Sequence, residues 1–168
     1  KIVYVSYLNN RVRVFIYDTV SGNQQLVTES SNTTFAPRWS PDGKKILFSM
    51  AVGGNTDIYV ISTEGGTPQR LTTAPGIDVG GSFSPDGSKI VFESDRSGTQ
   101  QIYVMNADGS DQRRISFAGG RYATPEWSPR GDLIAFTRLG GGTIRVGVMT
   151  PSGSGERLLT NSWQDEAP

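Results

Sequence analysis

WSPDGKKILF at 39–48, FSPDGSKIVF at 83–92 and WSPRGDLIAF at 127–136 are three copies of one phrase, each beginning 44 residues after the last. The register holds outside the phrase. DIYV at 57–60, QIYV at 101–104 and RVGV at 145–148 keep the same step, and KIVY at 1–4 falls one step before KILF at 45–48. A period of about 40–50 residues built from short strands is the sequence signature of a β-propeller. The fold class read from it is all-β: four-stranded antiparallel blades, with an incomplete ring in this chain.

Within one copy, a first strand ends at Trp39–Ser40 and Pro41-Asp42-Gly43 turns the chain. Proline fixes its own φ, aspartate bonds nearby amides and glycine accepts positive φ. Strands are predicted at 45–50, 57–62 and 69–73, then at 89–94, 100–106 and 112–116, and again at 132–138, 143–149 and 156–160. The second and third of each set are near-continuous apolar runs, which implies burial on both faces, as stacked blades require. About four blades follow, at 1–34, 35–79, 80–123 and 124–168. The first carries strands at 1–6, 12–18 and 24–28 with no first strand, and QDEAP at 164–168 reads as the approach to another copy. The expectation is a segment of a larger ring, its open edges covered by further blades or by self-association.

Composition narrows the function. Sixteen basic and sixteen acidic residues cancel, so nothing favours a nucleic-acid backbone or an anionic membrane. No apolar run approaches the ~18 residues of a membrane span, so no direct membrane insertion is expected. With no His and no Cys, the commonest general base, thiol nucleophiles and thiolate metal sites are excluded, and no Ser-His-Asp triad can form within the chain. The 21 Gly and 9 Pro suit a turn-rich protein.

The Ser-Pro-Asp-Gly phrase reads as a structural turn, because it recurs in every copy and tolerates Arg at 130. Asn106 to Asp111 resembles a calcium loop superficially but lacks the downstream Glu, so Asp108-Gly109 reads as a hairpin turn. The glycine run at 140–142 lacks the Lys-Ser/Thr of a phosphate loop. The segments leading into each first strand differ most between copies: SNTTFAP at 31–37, APGIDVGG at 74–81, AGGRYATP at 118–125 and NSWQDEAP at 161–168. Equivalent loops gather on one face of a propeller. The expected partner-binding surface is therefore Thr34, Phe35, Ile77, Asp78, Arg121, Tyr122, Trp163, Asp165 and Glu166. No catalytic residue, metal ligand or cofactor is expected, with calcium among Asp78, Asp165 and Glu166 at the channel mouth the one ion considered.

SPDGSKIVFESDRSGTQQIYVMNADG at 84–109 and GRYATPEWSPRGDLIAFTRLGGG at 120–142 resemble the repeats of the TolB family, the periplasmic propeller of the Tol–Pal envelope system, in its alphaproteobacterial form. SYLNNRVRVFIYDTVSG at 6–22 is similar to the second blade of such a protein. The resemblance covers the chain and implies blades two to five of six, without the family's N-terminal α/β domain and its first and last blades. It further implies a non-enzymatic periplasmic scaffold, whose propeller face binds the lipoprotein Pal, and in some bacteria colicin peptides, beside the other Tol proteins. The loop residues named above inherit that role. Signalling to TolA belongs to the N-terminal region and is not expected of this chain. Some family members carry His on the binding face; this chain has none.

The other readings are the gating propeller of a prolyl oligopeptidase-like peptidase, with its catalytic domain outside this chain, and a truncated propeller that self-associates through open edges. A propeller polysaccharide lyase is disfavoured by the lack of His.

Overall fold

The computed structural model describes residues 1–29 and 31–160. Among them, fifteen strands form four antiparallel sheets that succeed one another along the chain. Sheet one holds β1 (Ile2–Leu8), β2 (Arg11–Tyr17) and β3 (Gln24–Leu26). Sheet two holds β4 (Thr34–Trp39), β5 (Lys45–Val52), β6 (Asn55–Ser62) and β7 (Gln69–Arg70). Sheet three holds β8 (Asp78–Phe83), β9 (Lys89–Ser94), β10 (Gln101–Asn106) and β11 (Arg113–Arg114). Sheet four holds β12 (Arg121–Trp127), β13 (Ile134–Gly140), β14 (Thr143–Met149) and β15 (Arg157–Leu158). Each strand pairs with its sequence neighbour, and β4 lies against β8 and β8 against β12, as the inner strands of propeller blades do. The inner strands begin at Thr34, Asp78 and Arg121, so the sheets start one, two and three residues before the boundaries expected at 35, 80 and 124.

The double apolar runs have a direct explanation. Alternate residues of a strand point to opposite faces, and here each face has its own core. Ile46, Phe48 and Met50 of β5 pack with Val14, Ile16 and Val27 of sheet one. Leu47, between them, packs the other way with Ile90, Phe92 and Met105 of sheet three. Val91, Ile102 and Val104 of sheet three then join Ile134, Phe136 and Met149 of sheet four. Each core is shared by two sheets, so the stack is held by nearest-neighbour contacts.

The outer strands are shorter than the sequence predicts, because side chains take over the ladder. Leu71 N–H donates to Ile58 C=O at 2.8 Å, and Ile58 N–H then donates to the Thr72 hydroxyl at 2.9 Å instead of a carbonyl. The same exchange recurs as Val14 to Thr28 at 3.1 Å, Ile102 to Ser116 at 2.9 Å and Val146 to Thr160 at 3.1 Å. A hydroxyl both accepts and donates, so Ser116 also donates to Gln101 Oε1 at 2.7 Å, closing a buried network.

The Ser-Pro-Asp-Gly phrase is a structural turn. Ser40 Oγ donates to Asp42 Oδ1 at 2.6 Å and accepts from Lys45 N–H at 2.9 Å, while Lys44 N–H donates to Asp42 at 3.0 Å. Ser84 and Asp86 repeat this geometry at 2.6 Å. In the third copy, where Arg130 stands at the aspartate position, Asp132 receives the Ser128 hydroxyl at 2.7 Å and pairs with Arg130 at 2.7 Å. The serine hydroxyl pulls Asp42, Asp86 and Asp132 below the ordinary carboxylate range, with Asp86 brought to about 2.

Neighbouring sheets also meet through glycine. Gly109 and Gly153 occupy the same place in the hairpins after β10 and β14, at φ 91° and 86°. A Cβ there would lie 2.8 Å from Leu71 O and 2.2 Å from Ile115 O respectively, both in the preceding sheet. Gly65, the equivalent in sheet two, shares the backbone conformation at φ +95° with open space around it. We predict that Gly153→Ala lowers stability by about 2–4 kcal/mol, combining overpacking with left-handed strain. Gly65→Ala should cost only the strain, about 1–2 kcal/mol. Urea midpoints of the two variants measure the inter-sheet contact as their difference, and equal midpoints would refute it.

Candidate partner-binding face

The alternation of strand direction sorts the connections onto two ends. The loops leading into β4, β8 and β12 share one end with the hairpins after β5, β9 and β13. The Ser-Pro-Asp-Gly turns and the third-to-fourth hairpins lie at the other. The turn end gathers Asp42, Asp86, Asp108 and Asp132, each satisfied by a neighbouring Ser hydroxyl. The loop end gathers arginine and apolar side chains.

Each inner strand opens this end with a bulge. Its register against the second strand shifts between Phe35 and Arg38, between Val79 and Ser82, and between Ala123 and Glu126. The residue at the shift has positive φ in every copy: Ala36 at 50°, Gly80 at 66° and Thr124 at 49°. Positive φ at the β-branched Thr124 is unfavourable, and its surroundings hold it. Its N–H donates to Glu93 Oε1 at 2.6 Å, and its hydroxyl meets that of Thr137 at 2.9 Å. Glu93 thereby ties sheet three to sheet four. Burial raises its carboxyl above the usual value, opposed by the Thr124 amide.

Three of the residues expected on the partner-binding surface are instead inside. Thr34 is buried; its hydroxyl lies 3.1 Å from that of Thr28 and donates to Val12 C=O at 3.3 Å. Asp78 is buried and receives Arg96 Nη2 at 2.7 Å, while its Oδ1 has no hydrogen-bond partner among the described residues. The Arg96 guanidinium lies over the Phe92 and Tyr103 rings at 5.3 and 4.9 Å and donates to Gln112 at 2.7 Å. Tyr122 is the largest fully buried side chain. Its hydroxyl donates to Glu156 at 2.7 Å, and Arg138 donates to the same carboxylate at 3.0 Å. The correction has one cause: all three occupy the same register position at the mouth of an inner strand, where period two points the side chain into the stack.

Tyr122 also completes an aromatic pair by substitution. Phe48 faces Tyr59 at 5.9 Å and Phe92 faces Tyr103 at 5.7 Å, but the tyrosine position of sheet four is Gly147. A Cβ at Gly147 would stand 2.5 Å from the Phe136 ring, and Tyr122 meets that ring from elsewhere at 5.1 Å.

Of the remaining expected residues, Phe35 is half-buried, Ile77 is 48% exposed and Arg121 is exposed. Trp163, Asp165 and Glu166 lie outside the described residues. Among the described residues no cluster of three or more acidic side chains is placed to hold a metal, and the Asp78 carboxylate considered for calcium is engaged by Arg96. The structure adds Phe117, 70% exposed on the loop between sheets three and four, and Val52, 38% exposed at the end of β5 in sheet two. Phe117 falls between the strand expected at 112–116 and the loop expected at 118–125, and only its departure from the ladder shows it standing free.

The fold and this end define a β-propeller segment that presents exposed apolar and cationic side chains on convergent loops. The family model described as the TolB beta propeller domain matches residues 1–168, and the chain belongs to that family. It is 48% identical over 57 residues to the Tol-Pal system protein TolB of Gluconobacter oxydans (strain 621H), a stretch covering 34% of this chain and 13% of that protein. It is 45% identical over 58 residues to the Tol-Pal system protein TolB of Rickettsia canadensis (strain McKiel), with 33% and 13% covered. The crystal structure of TolB from Acinetobacter baumannii matches with a TM-score of 0.87 at 31% identity, over 99% of this chain and 42% of that one. The chain thus spans less than half the length of that relative. Puromycin hydrolase (S511A mutant complexed with PGG), with a TM-score of 0.71 at 16% identity over 93% of this chain and 28% of that one, shares the fold alone.

Glu93 and the turn aspartates impose opposite pH dependences. A lowered carboxyl such as that of Asp86 contributes stability that is present above the ordinary 3.8 and lost as pH falls toward about 2. A raised carboxyl favours the fold below the ordinary 4.5, and that contribution is lost as pH rises through its folded value. Glu93→Gln keeps an acceptor for the Thr124 amide and cannot ionise. Its thermal midpoint should therefore rise relative to the parent as pH increases from 4.5 to 8. A constant offset across that range would contradict the burial of a charged Glu93.

Proposed function

We propose that this chain is part of a non-enzymatic periplasmic scaffold of the Tol-Pal system and binds the lipoprotein Pal on its loop end. The observation that carries the reading is the family match along the whole chain, joined to relatives whose name places them in that system. The lack of His and Cys supports a binding role, since it removes the commonest catalytic side chains. Among the described residues no helix is long and apolar enough to cross a membrane. The peptidase-propeller reading rests on fold likeness to puromycin hydrolase and on no feature of the site.

With Thr34, Asp78 and Tyr122 buried, contact among the described residues falls to Ile77, Arg121 and the half-buried Phe35. Calorimetric titration of the parent propeller protein with Pal from the same bacterium should give saturable heat. Ile77→Asp should raise Kd about tenfold or more, the size of effect typical of a binding hot spot. Ser88→Ala at the turn end should leave Kd unchanged. No heat from a demonstrably folded protein would remove the Pal assignment.

A further inference from the structure

Several exposed apolar side chains have a local reason for their exposure. Ile2, Val5 and Tyr7 lie on β1 and Leu159 follows β15, in the two sheets that share a core on one side alone. Phe117 has no such reason. It leaves β11 of sheet three, which shares a core with sheet two and another with sheet four, yet it is 70% exposed.

Its sequence neighbours Arg114 and Arg121 are cationic. Three loop-end arginines are neutralised: Arg70 by Asp57 at 2.7 Å, Arg96 by Asp78 at 2.7 Å and Arg138 by Glu156 at 3.0 Å. Arg114 and Arg121, on either side of Phe117 in sequence, have no carboxylate partner among the described residues, and neither has Arg145, which pairs across the strands with Arg138. Arg114 spends its donors on Ser116 C=O and, at 3.4 Å, on Ser97 Oγ, and holds its guanidinium 5.3 Å from the Phe117 ring centroid. Asp95, in the hairpin that carries Ser97, turns Oδ1 to Ile77 N–H at 2.7 Å. Between Phe117 and Arg121, Ala118, Gly119 and Gly120 are exposed and too small to keep a partner's backbone away.

We propose that residues 114–121 form a docking ridge for an acidic segment of the protein partner. The segment sets an Asp or Glu carboxylate against the Arg114 and Arg121 guanidiniums and an apolar side chain on Phe117. Charge complementarity selects this occupant. Uncompensated guanidiniums favour a carboxylate through charge-assisted hydrogen bonds, and an exposed ring already stacked beneath a cation offers apolar contact with little further ordering. The inference rests on the partner-binding reading of this end.

The test uses the parent propeller protein, its Phe117→Ala and Arg121→Glu variants and their double variant. All are titrated with Pal and with a synthetic peptide alternating Glu and Phe, at ~50 and ~200 mM salt; long-range charge attraction weakens across that range. Both side chains are exposed, so thermal midpoints should match the parent. The expected result is an approximately tenfold rise in Kd for each single variant, with Arg121→Glu losing most of the parent's salt dependence. Parent binding to Pal with both variants within about twofold would overturn the ridge and leave the Pal reading standing. Peptide binding lost in the variants, without any Pal binding, would support the ridge and overturn the Pal reading. Binding of neither ligand would overturn both.

Discussion

The structure depends on the requirement that the middle strands of each sheet be covered on both faces. A sheet standing alone would expose one face of β5 or β9, whose apolar runs Ile46-Leu47-Phe48 and Ile90-Val91-Phe92 are buried. Stacking solves this by sharing: Ile46 and Phe48 serve one core while Leu47, between them, serves the next. Cooperativity is thereby passed along the stack, sheets two and three each being half of two interfaces. The close approach also dictates detail. Backbone meets backbone at Gly109 and Gly153, and a ring removed at Gly147 is answered by Tyr122 coming from another strand.

The same packing explains why the loop end differs between copies while the turn end hardly does. Every inner strand carries at its mouth a side chain pushed into the stack, and each polar occupant needs its own partner. Thr34 uses the hydroxyl of Thr28; Asp78 uses Arg96, backed by Gln112; Tyr122 uses Glu156, backed by Arg138. Gln112 and Glu156 hold the same repeat position, so one site serves as neutral acceptor in one copy and anion in the next. These locks consume Arg96 and Arg138, while Arg114 and Arg121 keep their guanidiniums free of any carboxylate among the described residues.

The fold was legible because its signals are periodic. The recurring Ser-Pro-Asp-Gly phrase and the paired apolar runs at 45–50 and 57–62 give blade number, strand order and two-sided burial without any coordinate. The face was legible as a set of loops and poorly as a set of residues. Tyr122 and Asp78 read as loop residues beside glycine, and a one-residue difference in where β8 or β12 begins decides whether they point out or in. Phe117 lies between the expected strand and the expected loop, and its exposure follows from the ladder ending at the Ser116 hydroxyl, a role that a hydroxyl in sequence does not announce.

Ser128 and Asp132 carry a lesson about copying. In two turns the carboxylate sits two residues after the serine; in the third it sits four after, yet the hydroxyl bond is within 0.1 Å of the same length. What is preserved is a point in space occupied by an oxygen anion, reachable from more than one place along the chain. A repeat protein of this kind behaves like a text with redundant spelling. A letter lost in one word can be restored by another in the same word, without reference to the other copies. Successive blades are therefore free to diverge in wording while their shapes stay interchangeable, and each loop end can be rewritten for recognition without disturbing the turn that supports it.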